Sequence, residues 1–379
     1  MELQMIRLNP WWDKKYRLDA ISRPDYLKRM KEANRLITFL VGLRRIGKTT
    51  IMKLFIQQLQ ENINPKHILY IPIDHPVFID KTIPEIVEKF REINGISFDE
   101  KIYLFFDEIQ SKEDFARELK PLYDNENVVI FCSGSQSLLM HDRKAALTGR
   151  TKTIEVVPLT FEEYLQFREI KIKKSDTHLY KKYFEEYLEF GGIPKYVLDR
   201  DPVYMIDLVD SIITKDIVAY HDLKNAQIIR ELFLLLCERA GKRLSINKIA
   251  RILSTNVESI RQYISYLTDT YLIYLIYRKT KTLNERIKSN KKVYISDVGI
   301  RNVMVGFKDK GSIFENLVFL NIKDKTPFYY YEDDKEVDFV FGKQGIECKY
   351  KEKIPEEETK YLQKVPFDVD IVKDYRFFL

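Results

Sequence analysis

Residues Gly42, Leu43, Arg44, Arg45, Ile46, Gly47, Lys48 and Thr49, followed by Thr50, fill the pattern G-x-x-x-x-G-K-[ST]. This pattern constrains the fold more than any other feature of the chain, because it needs a buried strand before it and a helix after it. Both are written in the sequence. Leu36, Ile37, Phe39, Leu40 and Val41 form the continuous apolar run of a buried parallel strand, and Ile51, Leu54, Phe55 and Leu59 recur at helical spacing. Gly42 and Gly47 allow a tight turn in which successive N–H groups and the helix N-terminus point at an anion. Lys48 is then expected to reach the β- and γ-phosphates of a nucleotide, and the Thr49 hydroxyl to hold Mg²⁺. A chance match in a loop would lack the flanking strand and helix.

A second element bears on what happens to the nucleotide. Ile102 to Phe106 is an apolar strand that ends in Asp107 and Glu108. A carboxylate at the C-terminal end of a buried parallel strand faces the ligand crevice, so Asp107 is expected to hold Mg²⁺ through its water shell and Glu108 to polarise an attacking water. Alone, the pair reads equally as a solvated strand end. A separation of about 60 residues from the glycine loop leaves room for intervening helix and strand units, which strengthens the functional reading. One of these is His67 to Ile73, a further buried strand followed by Asp74. The strand Val128 to Cys132 ends in Ser133, Gly134, Ser135 and Gln136. Ser135, and after it Gln136, is the candidate to contact the γ-phosphate or the water; Ser135 or Ser137 serves equally as a helix N-cap before Leu138. Arg150 is a candidate bidentate phosphate ligand, an arginine finger acting in its own subunit or a neighbour's, with a surface arginine beside Lys152 as the alternative.

The segments GLRRIGKTT, YLFFDEIQ, SGSQSLL, LTGR, PLTFEEYL and FGGIPKYV occur in the order seen in a family of archaeal and bacterial AAA+ ATPases, which this chain resembles over nearly its whole length. The opening Asn-Pro-Trp-Trp, Asn9 to Trp12, belongs to the same resemblance. It implies an ATP-hydrolysing P-loop core of α/β class, a catalytic role for Arg150 as an arginine finger, and a C-terminal domain with a nuclease-like signature.

Composition narrows the setting. In 379 residues, 45% hydrophobic content suffices for two or three sizeable cores. No stretch of about 18 uncharged apolar residues occurs, and MELQMIRLNPWWDKK lacks a signal-peptide core, so a cytoplasmic protein without a membrane span is expected. Cys132, Cys237 and Cys348 are far apart and read as reduced structural thiols. A formal charge of +6 is compatible with nucleic acid but too mild to demand it.

The expected domains are an AAA+ P-loop core over 1–165, a helical lid over 166–222, a winged helix-turn-helix over 223–280, and a small α/β restriction-endonuclease-like domain over 281–379. Within the lid, Gly191-Gly192-Ile193-Pro194 is a candidate hinge or a simple turn. In the winged helix, Ile228 to Ala240, Ser245 to Leu253 and Ser254 to Asp269 read as helices, the last offering Asn256, Glu258, Ser259, Arg261 and Gln262 to a nucleic acid. Arg278, Lys279, Lys281, Arg286, Lys288, Lys291 and Lys292 read as a basic wing. DNA and a docked protein partner are both open as its ligand.

In the last domain, Lys335 to Phe341 and Ile346 to Tyr350 read as a hairpin. With Phe341 opposite Ile346, Asp338 falls opposite Lys349, and Asp338, Glu347 and Lys349 share one face. This is the Asp…Glu-x-Lys arrangement of restriction-endonuclease-like folds. It predicts a second Mg²⁺ held by Asp338 and Glu347 with Lys349 on the water, and Glu315 as an added carboxylate. An ordinary cross-strand salt bridge is the competing reading. ATP and Mg²⁺ are thus the expected cofactors, and DNA, a protein partner and further copies of the chain the expected associates.

Overall fold

The computed structural model describes residues 1–33, 35–134, 147–351 and 353–379. The readings for Ser135, Gln136 and Ser137 lie outside the described residues. The chain divides into two compact units, Met1–Val157 and Pro158–Leu379.

The first unit is built on a parallel sheet. Its strands are β1 (Ile37–Val41), β2 (Ile68–Pro72), β3 (Ile102–Asp107), β4 (Val128–Ser133) and β5 (Thr151–Glu155), in the order β2-β3-β4-β1-β5. The apolar runs that defined β1 to β4 in the sequence are the buried ones, as parallel strands covered on both faces require. β5 escaped the sequence reading because Thr151-Lys152-Thr153-Ile154-Glu155 buries only Ile154, the pattern of an edge strand. The helices are α1 (Glu2–Leu8), α2 (Pro24–Glu32), α3 (Lys48–Leu59), α4 (Ile83–Asn94) and α5 (Phe115–Asn125). Phe55 of α3 packs edge-on against Phe131 of β4 with ring centroids 5.2 Å apart, and Phe131 stacks on Phe105 of β3 at 4.9 Å. That aromatic contact packs α3, which starts at Lys48 of the glycine loop, against β3 and β4.

The Asn-Pro-Trp-Trp segment closes the other sheet edge. Asn9 accepts from the Tyr70 N–H at 2.6 Å and donates to the Tyr70 carbonyl at 3.1 Å, as a neighbouring strand would. The indoles of Trp11 and Trp12 both donate to the Ile68 carbonyl, at 2.9 and 2.8 Å. Side chains therefore satisfy the outer backbone groups of β2 and block pairing with another chain.

In the second unit, α6 (Phe161–Phe167), α7 (Leu179–Phe190), α8 (Pro194–Asp199) and α9 (Pro202–Ser211) precede α10 (Ala226–Glu238), α11 (Ile246–Ile252) and α12 (Val257–Asp269). An antiparallel pair follows, β6 (Ile273–Ile276) with β7 (Lys292–Ile295), with α13 (Leu283–Lys288) between them. Then come α14 (Val298–Val305), α15 (Lys310–Ile322) and the strands β8 (Phe328–Glu332), β9 (Lys335–Phe341), β10 (Gln344–Cys348) and β11 (Asp368–Val372), ordered β11-β10-β9-β8.

The Gly191–Gly192 joint is held by side chains from far along the chain. The Gly192 N–H donates to Asp297 Oδ2 at 2.6 Å, and a Cβ on Gly191 would meet Asp297 Oδ1 at 2.5 Å. Asp297 also caps α14 by accepting the Ile300 N–H at 2.9 Å. Asn302 donates to the carbonyls of Leu188 and Glu189, both at 2.8 Å, satisfying the end of α7. These hydrogen bonds thus join two stretches more than 100 residues apart in the chain. These bonds favour the simple-turn reading of Gly191-Gly192-Ile193-Pro194 over the hinge.

Candidate active site and a second carboxylate cluster

In the first unit, β1 runs straight into the glycine loop. Gly42 has φ +137°, and a Cβ there would collide with the Val156 carbonyl, so no other residue fits. Gly47, at φ +101°, turns the chain into α3. The first turn of that helix leaves N–H groups without intrahelical partners, facing the loop's interior. Lys48 lies within this loop, only 8% exposed, and its Nζ donates to the carbonyls of Gly42 at 2.9 Å and Leu43 at 3.1 Å.

Because β4 stands between β1 and β3, the ends of three strands meet beside the loop. Asp107, 4% exposed, ends β3 and collects hydroxyls from three elements. Thr49 donates to its Oδ2 at 2.7 Å, Tyr70 to the same oxygen at 2.7 Å, and Ser133 to Oδ1. Burial, reinforced by the Asp107 carboxylate, pushes the Tyr70 phenol far above its ordinary range, so it remains a donor. The Thr49 hydroxyl and the Asp107 carboxylate are hard oxygen donors brought side by side, the donor set Mg²⁺ prefers. Glu108 sits in the left-handed region at φ 51°, a strained position for glutamate. Its N–H donates to Ser133 Oγ at 3.2 Å, and its carboxylate receives the Gln110 side-chain amide.

Ser133, Tyr70 and Gln110 were missed by the sequence reading. Each had a signal: Ser133 is the polar last residue of an apolar strand, Tyr70 the hydroxyl-bearing member of Ile68–Ile73, and Gln110 follows the carboxylate pair at a spacing of two.

The profile of an AAA domain matches residues 34–165, and that of a domain of unknown function, DUF8612, matches 181–311. An uncharacterised protein of Methanocaldococcus jannaschii is 30% identical over 410 aligned positions, covering 98% of this chain and 90% of its own length. The chain belongs to this AAA-domain P-loop ATPase family. An uncharacterised Haemophilus influenzae protein is 28% identical, covering 85% of this chain and 84% of its own. Among solved structures, a signal transduction ATPase with numerous domains and a tetratricopeptide repeat sensor from Pyrococcus horikoshii aligns over 83% of this chain with 15% identity and a TM-score of 0.31. This chain spans about half of that structure, 47%, and the superposition is too loose to carry an argument.

Within the ATPase unit, Arg150 is placed away from the cradle. Its carbonyl accepts the Ile37 N–H at 2.9 Å, at the start of β1, whereas the glycine loop follows the end of that strand. A strand of five residues separates them, which is about 16 Å at 3.3 Å per residue. The guanidinium grips Asp124 at the end of α5 in a bidentate pair, Nε to Oδ1 at 2.7 Å and a second bond to Oδ2 at 3.1 Å. Arg150 therefore does not reach the cradle of its own subunit.

In the second unit, the β9–β10 register differs from the expected one by two residues: Phe341 pairs with Gln344 and Phe339 with Ile346. A two-residue shift preserves the face. Asp338 and Glu347 consequently stay together, with the Asp338 N–H donating to Glu347 Oε2 at 3.3 Å, while Lys349 moves off Asp338. Lys349 instead pairs with Glu347 Oε1 at 2.7 Å, an oxygen that also receives the Tyr361 hydroxyl at 2.7 Å.

The residue that completes this cluster was assigned elsewhere. Lys292, read as part of an exposed wing, is 1% exposed. Its ammonium lies 3.1 Å from Glu315 Oε1, 2.6 Å from Glu336 Oε1 and 3.0 Å from Asp338 Oδ1. The Tyr294 hydroxyl donates to Glu315 at 2.8 Å. Burial, with Asp338 adding to it and Lys292 opposing, pushes Glu315 up to about 8. Among the described residues, no group of three or more His, Cys, Asp and Glu is arranged to hold a metal ion.

Near α12, Asn256 is the N-cap, accepting the Ser259 N–H at 2.7 Å, so its side chain is engaged. Arg261 and Gln262 are exposed. A groove of about 420 Å³ between α11, α12 and the β6–β7 connection is lined by Asn247, Arg261, Lys288, Asn290 and Lys291 among others.

Proposed function

We propose that the chain is a Mg²⁺-dependent ATPase whose turnover is coupled to nucleic-acid contact through its second unit. The observation that carries the ATPase reading is the Thr49–Asp107 contact of 2.7 Å beside a loop that holds Lys48. Lys48 would bind the β- and γ-phosphates, and Thr49 and Asp107 would hold the metal, whose charge would offset that of the phosphates during hydrolysis. Glu108, held by Gln110 and by its N–H bond to Ser133, orients that water. Ser133 and Tyr70 fix the Asp107 carboxylate, and Ser135 remains a candidate at the γ-phosphate.

Arg150 faces the wrong end of its own sheet for catalysis in cis, so we assign it to a neighbouring subunit's site and the active species to a homo-oligomer. The partition into a core over 1–165, a lid over 166–222, a winged helix over 223–280 and an endonuclease-like domain over 281–379 forms part of the same proposal. The order α10, α11, α12, β6, β7 supports the winged-helix reading, with β7 extending it past 280. The basic groove with Arg261, Lys288 and Lys291 supports DNA as its ligand. A second reading, a nucleotide-gated switch that docks a protein on an inactive nuclease-like scaffold, draws on the Lys292 ammonium set among the carboxylates.

The test is phosphate release with and without duplex DNA across a salt series. Coupling to DNA gives a stimulation that fades steeply as salt rises, each phosphate contact contributing a slope of about −0.9. Hydrolysis that DNA leaves unchanged at every salt concentration removes the nucleic-acid half of the proposal, and no hydrolysis with Mg²⁺ and ATP in any oligomeric state removes the rest.

A further inference from the structure

The cluster in the second unit combines a set of carboxylates with a cation already inside it. Glu315 comes from α15, Glu336 and Asp338 from β9, and Glu347 from β10, and the ammonium among the first three comes from β7 of a different sheet. Most of the other oxygens of these carboxylates are also engaged. Glu315 accepts from Tyr294, and Glu336 pairs with Arg243 at 3.6 Å. Asp338 Oδ2 accepts the Cys348 N–H at 3.0 Å. Glu347 is shared by Lys349, Tyr361 and the Asp338 N–H. Gly241, whose N–H is bonded to the Val293 carbonyl at 2.8 Å, lies beside Glu315 Oε2, and a Cβ there would meet that oxygen at 3.0 Å.

We propose that the Lys292 ammonium is the resident cation of this cluster, standing where a divalent metal would otherwise bind, and that it welds the β6–β7 pair to the C-terminal sheet. A buried carboxylate needs a counter-charge, and a protein can supply it either from solution or from its own chain. Here the chain supplies it. The ammonium carries three contacts at 2.6 to 3.1 Å, whereas Mg²⁺ requires oxygens drawn in to about 2.0–2.1 Å in octahedral array. The same carboxylates cannot satisfy both cations at once. Arg243 strengthens the weld, since it bridges to Lys292 through the backbone and to Glu336 through its side chain. This inference is independent of the ATPase reading, because none of its residues belongs to the first unit.

The test uses the full chain without nucleotide, with Mn²⁺ as the probe, read by electron paramagnetic resonance and by the shift in thermal midpoint. Asp338→Asn is measured alongside to subtract any metal held at Thr49 and Asp107. Wild-type protein is expected to show no Asp338-dependent Mn²⁺ binding. Lys292→Ala, which removes the ammonium and opens space for an ion with its waters, is expected to gain Mn²⁺ affinity by at least about tenfold. The second substitution Asp338→Asn should cancel that gain. Asp338-dependent Mn²⁺ binding by wild-type protein overturns the proposal, and this arm holds even if Lys292→Ala does not fold. A folded Lys292→Ala protein that takes up no more Mn²⁺ than wild type overturns it as well.

Discussion

Asp107 and Asp338 are both aspartates on strands, 4% and 8% exposed, yet their surroundings prepare them for opposite tasks. Asp107 receives hydroxyls from Thr49, Tyr70 and Ser133, which are dipoles without net charge. Asp338 receives an ammonium and a backbone N–H. Hydroxyls orient a carboxylate and leave its charge to attract a cation from solution, while an ammonium neutralises it in place. The comparison teaches that a motif of acidic residues says little about metal chemistry until the counter-charge is located.

The largest expected effect separates binding from turnover at the first site. Lys48→Ala should reduce nucleotide affinity by about 100-fold or more, since the backbone cradle alone does not offset the β/γ-phosphate charge. Glu108→Gln should bind ATP as wild type does and lose hydrolysis by about 10²-fold or more, because it keeps the shape and loses the carboxylate. Equilibrium binding of a fluorescent nucleotide and phosphate release, measured on both variants, check the pair; unchanged hydrolysis in Glu108→Gln would contradict its role.

Arg150→Ala comes next, with an expected loss of about 10³ in turnover and little change in ADP affinity. Mixing it with Glu108→Gln protein should restore part of the activity, because one interface in a mixed assembly has both groups intact. Failure of the mixture to recover while each variant alone is inactive would place Arg150's effect within its own subunit, against its pairing to Asp124 at the far sheet end.

Asp297 provides a third kind of buried carboxylate and a smaller effect. Backbone N–H groups of Gly192 and Ile300 contact it, and burial dominates, pushing it up to about 6 from a model-compound 3.8. A folded-state value above the unfolded one means that protonation favours the folded state. Its contribution is full below about pH 4 and is lost as pH rises through about 6, a change of about 2–3 kcal/mol. Hydrogen exchange at the Gly192 and Ile300 amides, corrected for intrinsic rate, should show protection falling across that window. Asp297→Asn should flatten the profile.

The first unit was legible because its signals are local. The glycine loop, the apolar strands and the carboxylates at a strand end are each contiguous, and the sheet follows from the βαβ pattern they impose. What stayed hidden depends on pairing across the chain. Tyr70 and Ser133 reach Asp107 from strands that become its neighbours only once the sheet order is known. In the second unit, Lys292 looked like one more residue of a basic run, since nothing local distinguishes a lysine that enters a core from one that meets solvent. The hairpin turn was too loosely specified to fix register, so the shared face of Asp338 and Glu347 was readable while their pairing was not. Arg150 was found by motif, but its distance from the cradle required β5, an edge strand too polar to announce itself.

The central claim is that the first site takes its cation from solution and the second carries its own. A Mg²⁺ titration of ATP hydrolysis in wild type, Asp107→Asn and Asp338→Asn tests it most directly, with thermal midpoints recorded in parallel. Asp107→Asn is expected to lose Mg²⁺-dependent hydrolysis by about 10²-fold or more with little loss of stability. Asp338→Asn is expected to keep its hydrolysis and Mg²⁺ dependence while the second unit loses about 3 kcal/mol of stability, because a buried ammonium has lost a partner. Asp107→Asn protein with the wild-type Mg²⁺ profile, or Asp338→Asn protein that keeps its stability, would contradict it.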